Sequence, residues 1–308
     1  NQGEWDWALL GEHFDADELV ALGFGLDDLV EHEILDDPAS SEENEIDAEP
    51  RLDEAEQLLE MWKTARGQVW QLGPHRLMCG DSTDASDVAQ LLDGKVPALM
   101  VTDPPYGVEY DPTWRDEAGL SENHRKGLIN DDRADWTDAW KLFTGDVAYV
   151  WHAGLFASVV QDSLVRAGFV VRSQIIWVKS HFAIGRGNYH WHHEPCWYAV
   201  RKGATAQWNG ARDESTVWEI SHKGQDTDTI HGTQKPLECM ERPIVNNTIR
   251  GGMVYDPFCG SGTTIIAAAR TGRVAFAMEL DPKYVAVILQ RYADATGETP
   301  VLVRQGAD

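Results

Sequence analysis

Met253-Val254-Tyr255-Asp256-Pro257-Phe258-Cys259-Gly260-Ser261-Gly262-Thr263-Thr264 reads as a strand, a glycine turn and the start of a helix, which continues through the apolar run Ile265 to Ala269. A second short apolar run, Val274 to Met278, ends at Glu279 and is followed by Leu280-Asp281-Pro282. Strand, glycine turn, helix, then a strand closing on an acid is the pattern of a doubly wound α/β sheet, where that acid usually holds a nucleotide ribose. A phosphate-binding loop needs lysine after its last glycine, but Gly262 is followed by Thr263. A dinucleotide loop wants a third glycine near position 265, which is Ile265. Both fit worse than a nucleoside without a pyrophosphate. A glycine turn that only lets a helix pack on a sheet is the plain alternative.

Toward the amino terminus, Asp103-Pro104-Pro105-Tyr106 follows Ala98-Leu99-Met100-Val101-Thr102, a short run with the look of a buried parallel strand. Proline has no N–H to donate and disfavours helix at the residue before it, so the strand stops at Asp103. A carboxylate and rigid acceptor-only carbonyls are left at its carboxyl end, with an aromatic ring directly after. That set suits an exocyclic amine on a flat base: acceptors for two hydrogens and a face to stack on. The two motifs together weigh against the plain glycine-turn alternative.

With both motifs in view, the chain resembles the S-adenosylmethionine-dependent DNA amino-methyltransferases. Asp103 to Tyr106 matches their catalytic motif, and Phe258-Cys259-Gly260-Ser261-Gly262 matches their cofactor loop. The catalytic motif comes first, about 150 residues ahead, which is the circularly permuted order of the family's beta group. Gly80-Asp81-Ser82 and His231-Gly232-Thr233-Gln234-Lys235-Pro236 also fall in the expected order, so the resemblance spans residues 67 to 293. It implies a mostly parallel α/β sheet of about seven strands. It also implies that Asp103 and the Pro104 carbonyl bind the target amine, Tyr106 stacks on the base and Pro105 fixes the loop. Asp256, Phe258, Gly260, Gly262 and Thr263, with Asp103 nearby, are expected around the methionine end of S-adenosylmethionine. Glu279, followed by Asp281, is expected at the ribose, Asp81 and Ser82 at the adenine. Thr233, Lys235 and Pro236 are expected to close the methionine pocket, a plain salt bridge being the alternative for Lys235. Asp in the first motif position favours adenine N6 in duplex DNA over cytosine N4, whose enzymes more often carry serine there. An RNA or protein amide methyltransferase and a non-catalytic DNA-binding module are the other classes.

The net charge of −25 looks wrong for a DNA enzyme, because phosphate contacts dominate affinity. Its distribution resolves much of this. Residues 1–66 hold 21 acidic residues against Arg51, Lys63 and Arg66, a balance of −18 that leaves −7 for the rest. An acidic helical extension and linker over 1–66 is therefore expected beside a methyltransferase domain over 67–308. Residues 36–50 read as linker, and Leu52, Ala55, Leu58, Leu59 and Trp62 share one helical face. The extension resembles the joint to an upstream ParB-like nuclease domain in related phage and prophage proteins. Four well-separated cysteines (Cys79, Cys196, Cys239, Cys259) fit reduced cytoplasmic thiols, and no run of about 18 apolar residues offers a membrane span. A homodimer is compatible with the resemblance.

Insertions are expected within about 107–145, a polar closing loop, and 179–232, a target-recognition segment. Lys179, Arg186, Asn188, His190 and Lys202 are the candidate DNA contacts, in a stretch from Lys179 to Gly203 whose single acid is Glu194. His190, His192, His193 and Cys196 match no standard zinc spacing, so no metal is expected. Nine of the thirteen tryptophans lie between 107 and 250, most of them expected in the core.

Overall fold

The computed structural model describes residues 46, 48–108, 132–183, 188–220 and 235–306. A 3-10 turn, Leu52–Glu54, leads into α1 (Ala55–Trp62). There follow β1 (Val69–Leu72), β2 (His75–Cys79), α2 (Ala85–Leu92), β3 (Leu99–Thr102), α3 (Thr137–Leu142) and β4 (Val147–Trp151). Next come α4 (Ala157–Arg166), β5 (Phe169–Ala183), β6 (Trp191–Arg201), β7 (Val217–Glu219) and α5 (Leu237–Asn247). The chain closes with β8 (Met253–Asp256), α6 (Thr263–Arg270), β9 (Val274–Glu279), α7 (Pro282–Thr296) and β10 (Val301–Arg304).

Among the described residues the strands form one ten-stranded sheet in the order β10-β1-β2-β9-β8-β3-β4-β6-β5-β7. The five strands from β2 to β4 run parallel, and β6 and β5 follow antiparallel. The expectation of seven mostly parallel strands is thus corrected to ten in a mixed sheet. The tight turn at Gly73 folds β1 back on β2, β10 pairs with β1, and β7 pairs with β5 at the far edge. These short edge strands leave little trace in sequence. β3 is buried at every position because both faces are covered. Side chains of α5, α6 and α7 share one core with alternate strand residues. Those of α2, α3 and α4 share the core on the other face.

The segment 191–201, read from sequence as recognition loop, is instead a strand paired with β4 on one side and β5 on the other. Pro195 hides it from a sequence reader, because proline argues against a central strand. It is tolerated just past the last β4 pair, Trp151 with Cys196. α1 packs on α7 through Leu58 against Ala286 and Val287. Trp62 Nε1 donates to Gln290 at 3.2 Å and Thr64 Oγ1 to the Pro282 carbonyl at 2.6 Å. Of the acidic segment, residues 1–45 lie outside the described residues. No described helix is long and apolar enough to cross a membrane.

β3 and β8 are neighbours, with Leu99 opposite Val254 and Met100 opposite Tyr255. From β8 the chain continues to β9 on one side, and from β3 to β4 on the other. Such a switch point opens a crevice at the strands' carboxyl ends, where doubly wound sheets bind ligands. Both sequence motifs sit there, brought together despite their separation along the chain.

Candidate active site

Asp256 ends β8 and is buried. Its Oδ1 accepts from Thr102 Oγ1 at 2.7 Å and from the Phe258 N–H at 3.1 Å; its Oδ2 accepts from Thr264 Oγ1 at 2.5 Å. Burial outweighs these bonds and pushes its pKa up to about 6. Expected beside a ligand, Asp256 thus also ties the glycine loop to the end of β3. Gly260 and Gly262 have φ of +55° and +88°, in the left-handed region that glycine tolerates. A Cβ at Gly262 would press on Ile288 of α7 at 3.0 Å, whereas one at Gly260 would meet none of the described residues within 4 Å. The loop is therefore packed behind Gly262 and open at Gly260.

Glu279 lines that open side. Its Oε2 accepts from the Gly260 N–H at 3.0 Å and its Oε1 from the Asp281 N–H at 2.9 Å. Burial nevertheless raises its pKa to about 7. Asp281 caps α7, accepting from the Lys283 N–H at 2.9 Å. Thr263 is buried under Arg291, whose Nη1 donates to Thr263 Oγ1 at 3.2 Å. β2 and β9 pair up to Cys79 and Glu279, which brings Asp81 and buried Ser82 to the same edge. Burial opposes ionisation of Asp81, but two hydrogen bonds from Thr83 hold its pKa below the usual value.

At the end of β3, Asp103 is bound on both oxygens. Oδ1 accepts from Tyr106 Oη at 2.7 Å and Oδ2 from Lys235 Nζ at 2.8 Å. Lys235, buried just before α5, also reaches Tyr106 Oη at 2.8 Å and Glu194 Oε2 at 2.7 Å. All three ammonium hydrogens therefore have acceptors, leaving none for a cofactor in this arrangement. The salt bridge weighed as the alternative for Lys235 is what the site contains. Burial, reinforced by Glu194, raises the pKa of Asp103, and Lys235 offsets this only in part. Burial works against the charge on Glu194 too, but Lys235 and Lys179 prevail and bring its pKa down to about 2. Burial opposes the charge of Lys235, yet its two carboxylates raise its pKa. Pro104 and Pro236 are buried beside this cluster.

The DNA-contact candidates divide. Lys179 is paired with Glu194 and only 15% exposed, so it is engaged in the charge cluster rather than standing free. Asn188 and His190 are exposed at the β5–β6 hairpin, His190 stacking on Phe182 with centroids 5.2 Å apart. β6 runs antiparallel to β4, so Lys202 follows a strand end at the amino edge of the sheet, away from Asp103. Arg186 and Thr233 lie outside the described residues, as do 109–131 of the expected closing loop.

Two participants were missed. Glu194 had one signal, its being the single acid in a basic stretch; its partner is set by β-strand pairing, which sequence does not show. Trp136 had none. Its Nε1 donates to the Pro105 carbonyl at 3.0 Å while its ring lies 4.6 Å from that of Phe258, linking the two motifs. A Cβ at Gly107 (φ +71°) would meet the Arg133 backbone at 2.6 Å, so glycine lets the chain return over the catalytic turn.

A doubly wound sheet with a carboxylate strand end and a glycine loop side by side at its switch point defines an α/β protein of the nucleoside-binding type. Residues 98–290 match the model of the N6/N4 methyltransferase family, described as DNA methylase, and the chain belongs to that family. It is 25% identical to the type II methyltransferase M2.MboI of Moraxella bovis over 66% of this chain and 82% of that protein. It is equally similar, at 25%, to the putative methylase YubD of Escherichia coli K12, over 68% and 88% of the two chains. Among solved structures, the M1.HpyAVI complex with S-adenosylmethionine matches at a TM-score of 0.50 and 24% identity, over 70% of this chain and 98% of that one. The cytosine-N4-specific PvuII DNA methyltransferase matches at 0.53 and 15% identity, over 77% and 98%. These two establish fold alone.

Proposed function

We propose that this chain transfers a methyl group from S-adenosylmethionine to the N6 amine of adenine in duplex DNA, with the target base flipped out of the helix. The observation that carries the reading is the meeting of Asp103 and the Asp256–Gly262 loop at one switch point, bridged by Thr102 and Asp256. When bound, S-adenosylmethionine supplies an electrophilic methyl group. The residues fit it. Gly260 faces open space, and Glu279 beside it can accept from ribose hydroxyls with lone pairs not taken by the backbone. Asp81 and Ser82 lie at the same edge for the adenine, and Phe258 beside the glycine loop.

The amine of adenine is a poor nucleophile because its lone pair is delocalised into the ring. Asp103 and the Pro104 carbonyl accept its two hydrogens, and the lone pair is drawn out of conjugation as positive charge grows on nitrogen. Stabilisation concentrated on that developing charge is differential transition-state binding. No covalent enzyme intermediate is required. Extruding the base costs a few kcal/mol, which stacking on Tyr106 helps to offset.

Cytosine N4 is the second reading. The family covers both amines, and a cytosine-N4 enzyme shares the fold. The deciding experiment incubates the chain with tritiated S-adenosylmethionine and unmethylated bacterial DNA, then identifies the labelled nucleoside. Label in N6-methyladenine supports the proposal, label in N4-methylcytosine replaces the target, and absence of label rejects it.

A further inference from the structure

Methyl transfer through Asp103 leaves a partly buried chain of charges beside it, centred on buried Lys235, without a role. Lys179 pairs with Glu194, Glu194 with Lys235 and Lys235 with Asp103, two cations alternating with two carboxylates. Glu194 and Lys179 come from β6 and β5, and Lys235 from the turn before α5, so three elements converge on the strand end of β3. Withdrawing charges from water, fully for Lys235 and in part for the other three, is costly unless each is paired, and here each is. An ammonium pressed on Asp103 would by itself weaken that carboxylate as an acceptor for a substrate amine. Glu194 lies 2.7 Å from the same ammonium and 3.2 Å from Tyr106 Oη, so both donors that now occupy Asp103 have a second acceptor in place.

We propose that Glu194 is a positioning residue for methyl transfer: it takes up Lys235 and the Tyr106 hydroxyl when the target amine docks on Asp103, and Lys179 balances its charge. The claim rests on the amino-methyltransferase reading and adds to it a residue that never touches the base. Lys235 turns within its three acceptors rather than leaving the site, and Asp103 remains an anion as charge develops on the amine. Removing the Glu194 charge leaves Lys235 and Lys179 opposed by Asp103 alone, so Asp103 is overneutralised. Removing Lys179 as well restores the balance.

The groups that act on Asp103 are Lys235 and Cys239 from the α5 side, Glu194 and Cys196 from β6, Asp256 from β8, and Tyr106 from its own loop. Of these, Glu194 is the one altered by Glu194→Gln, which keeps the size and one acceptor for Lys235. Two readouts test the proposal. The first is the single-turnover rate on DNA, with the affinities for DNA and S-adenosylmethionine measured alongside. The second is the titration of Asp103 by carboxyl 13C NMR, assigned through Asp103→Asn, which needs no turnover.

The rate should fall about 100-fold in Glu194→Gln, in the range expected for losing one preorganised group, with both affinities within about threefold. Glu194 contributes to raising the Asp103 pKa, so the Asp103 midpoint should move to lower pH in this variant. In Lys179→Met/Glu194→Gln the midpoint should move back up and about tenfold of the rate should return, a rescue that plain loss of packing would not give. An unmoved midpoint, a rate within about threefold of the parent, or a double variant no faster than the single one overturns the proposal. A parent chain that leaves DNA unlabelled overturns the functional reading instead, while the NMR midpoints still decide what Glu194 does to Asp103.

Discussion

Asp103 is held by two donors before any substrate arrives, so its contribution to catalysis and to stability can be separated. Asp103→Ala removes the acceptor of the developing charge and should lower the single-turnover rate by about 10²–10³-fold or more. Because the glycine loop is held by Asp256 and Glu279, calorimetry should find cofactor affinity within about threefold. A tenfold loss of binding with turnover retained would assign Asp103 to the cofactor. Glu279 makes a second prediction. With its pKa raised to about 7, it is largely protonated at pH 6, and a protonated carboxyl is the weaker acceptor for ribose hydroxyls. Affinity for S-adenosylmethionine should therefore rise between pH 6 and 8, and Glu279→Gln should flatten that rise as well as weaken binding. At this scale the sequence was most legible where chemistry restricts residue type. Asp103, Glu279 and the two loop glycines stand at strand ends and turns that prolines and apolar runs announce. The pairing of Glu194 with Lys179 depends on which strands pair, and no local pattern encodes that.

Among the elements, the link through Trp136 couples the catalytic turn to the cofactor loop. Trp136→Phe keeps a ring against Phe258 but leaves the Pro105 carbonyl without its donor. Thermal melting should show a loss of about 1 kcal/mol, the usual worth of one hydrogen bond. Single-turnover rates should fall further than that loss of stability accounts for, because Pro105 belongs to the catalytic turn. An unchanged rate would make Trp136 a core residue only. At the other end of the site, α1 braces α7, the helix behind Gly262. Leu58→Ala should cost about 2–5 kcal/mol in denaturant unfolding, as buried leucines do, if α1 is an integral part of the fold. A cost below about 1 kcal/mol would make it a dispensable appendage. Apolar runs made β3, β4, β8 and β9 readable, and the amphipathic face from Leu52 to Trp62 anticipated α1. β6 was not readable, because Pro195 and two histidines, His192 and His193, disguise a strand that becomes central only by pairing on both sides.

For the whole molecule the governing quantity is charge. Residues 1–45 carry 15 acidic side chains and no lysine or arginine, so Ile46 to Asp308, one compact unit, retains −10 of the −25. This asymmetry was fully legible, since charge is additive along the chain, whereas its structural consequence requires knowing what the acidic segment touches. Like charge carried on the same chain as a DNA-binding surface repels phosphate over roughly a Debye length, about 10 Å at 0.1 M salt and 3 Å at 1 M. A chain of residues 46–308 should therefore bind a duplex several-fold more tightly than the full chain at about 50 mM salt. Fluorescence anisotropy across a salt series should show the two curves converging as screening increases. A difference that persists at high salt would mean the acidic residues occupy the DNA surface by contact, beyond the reach of screening. No difference even at low salt would place their charge too far from the duplex to act on it.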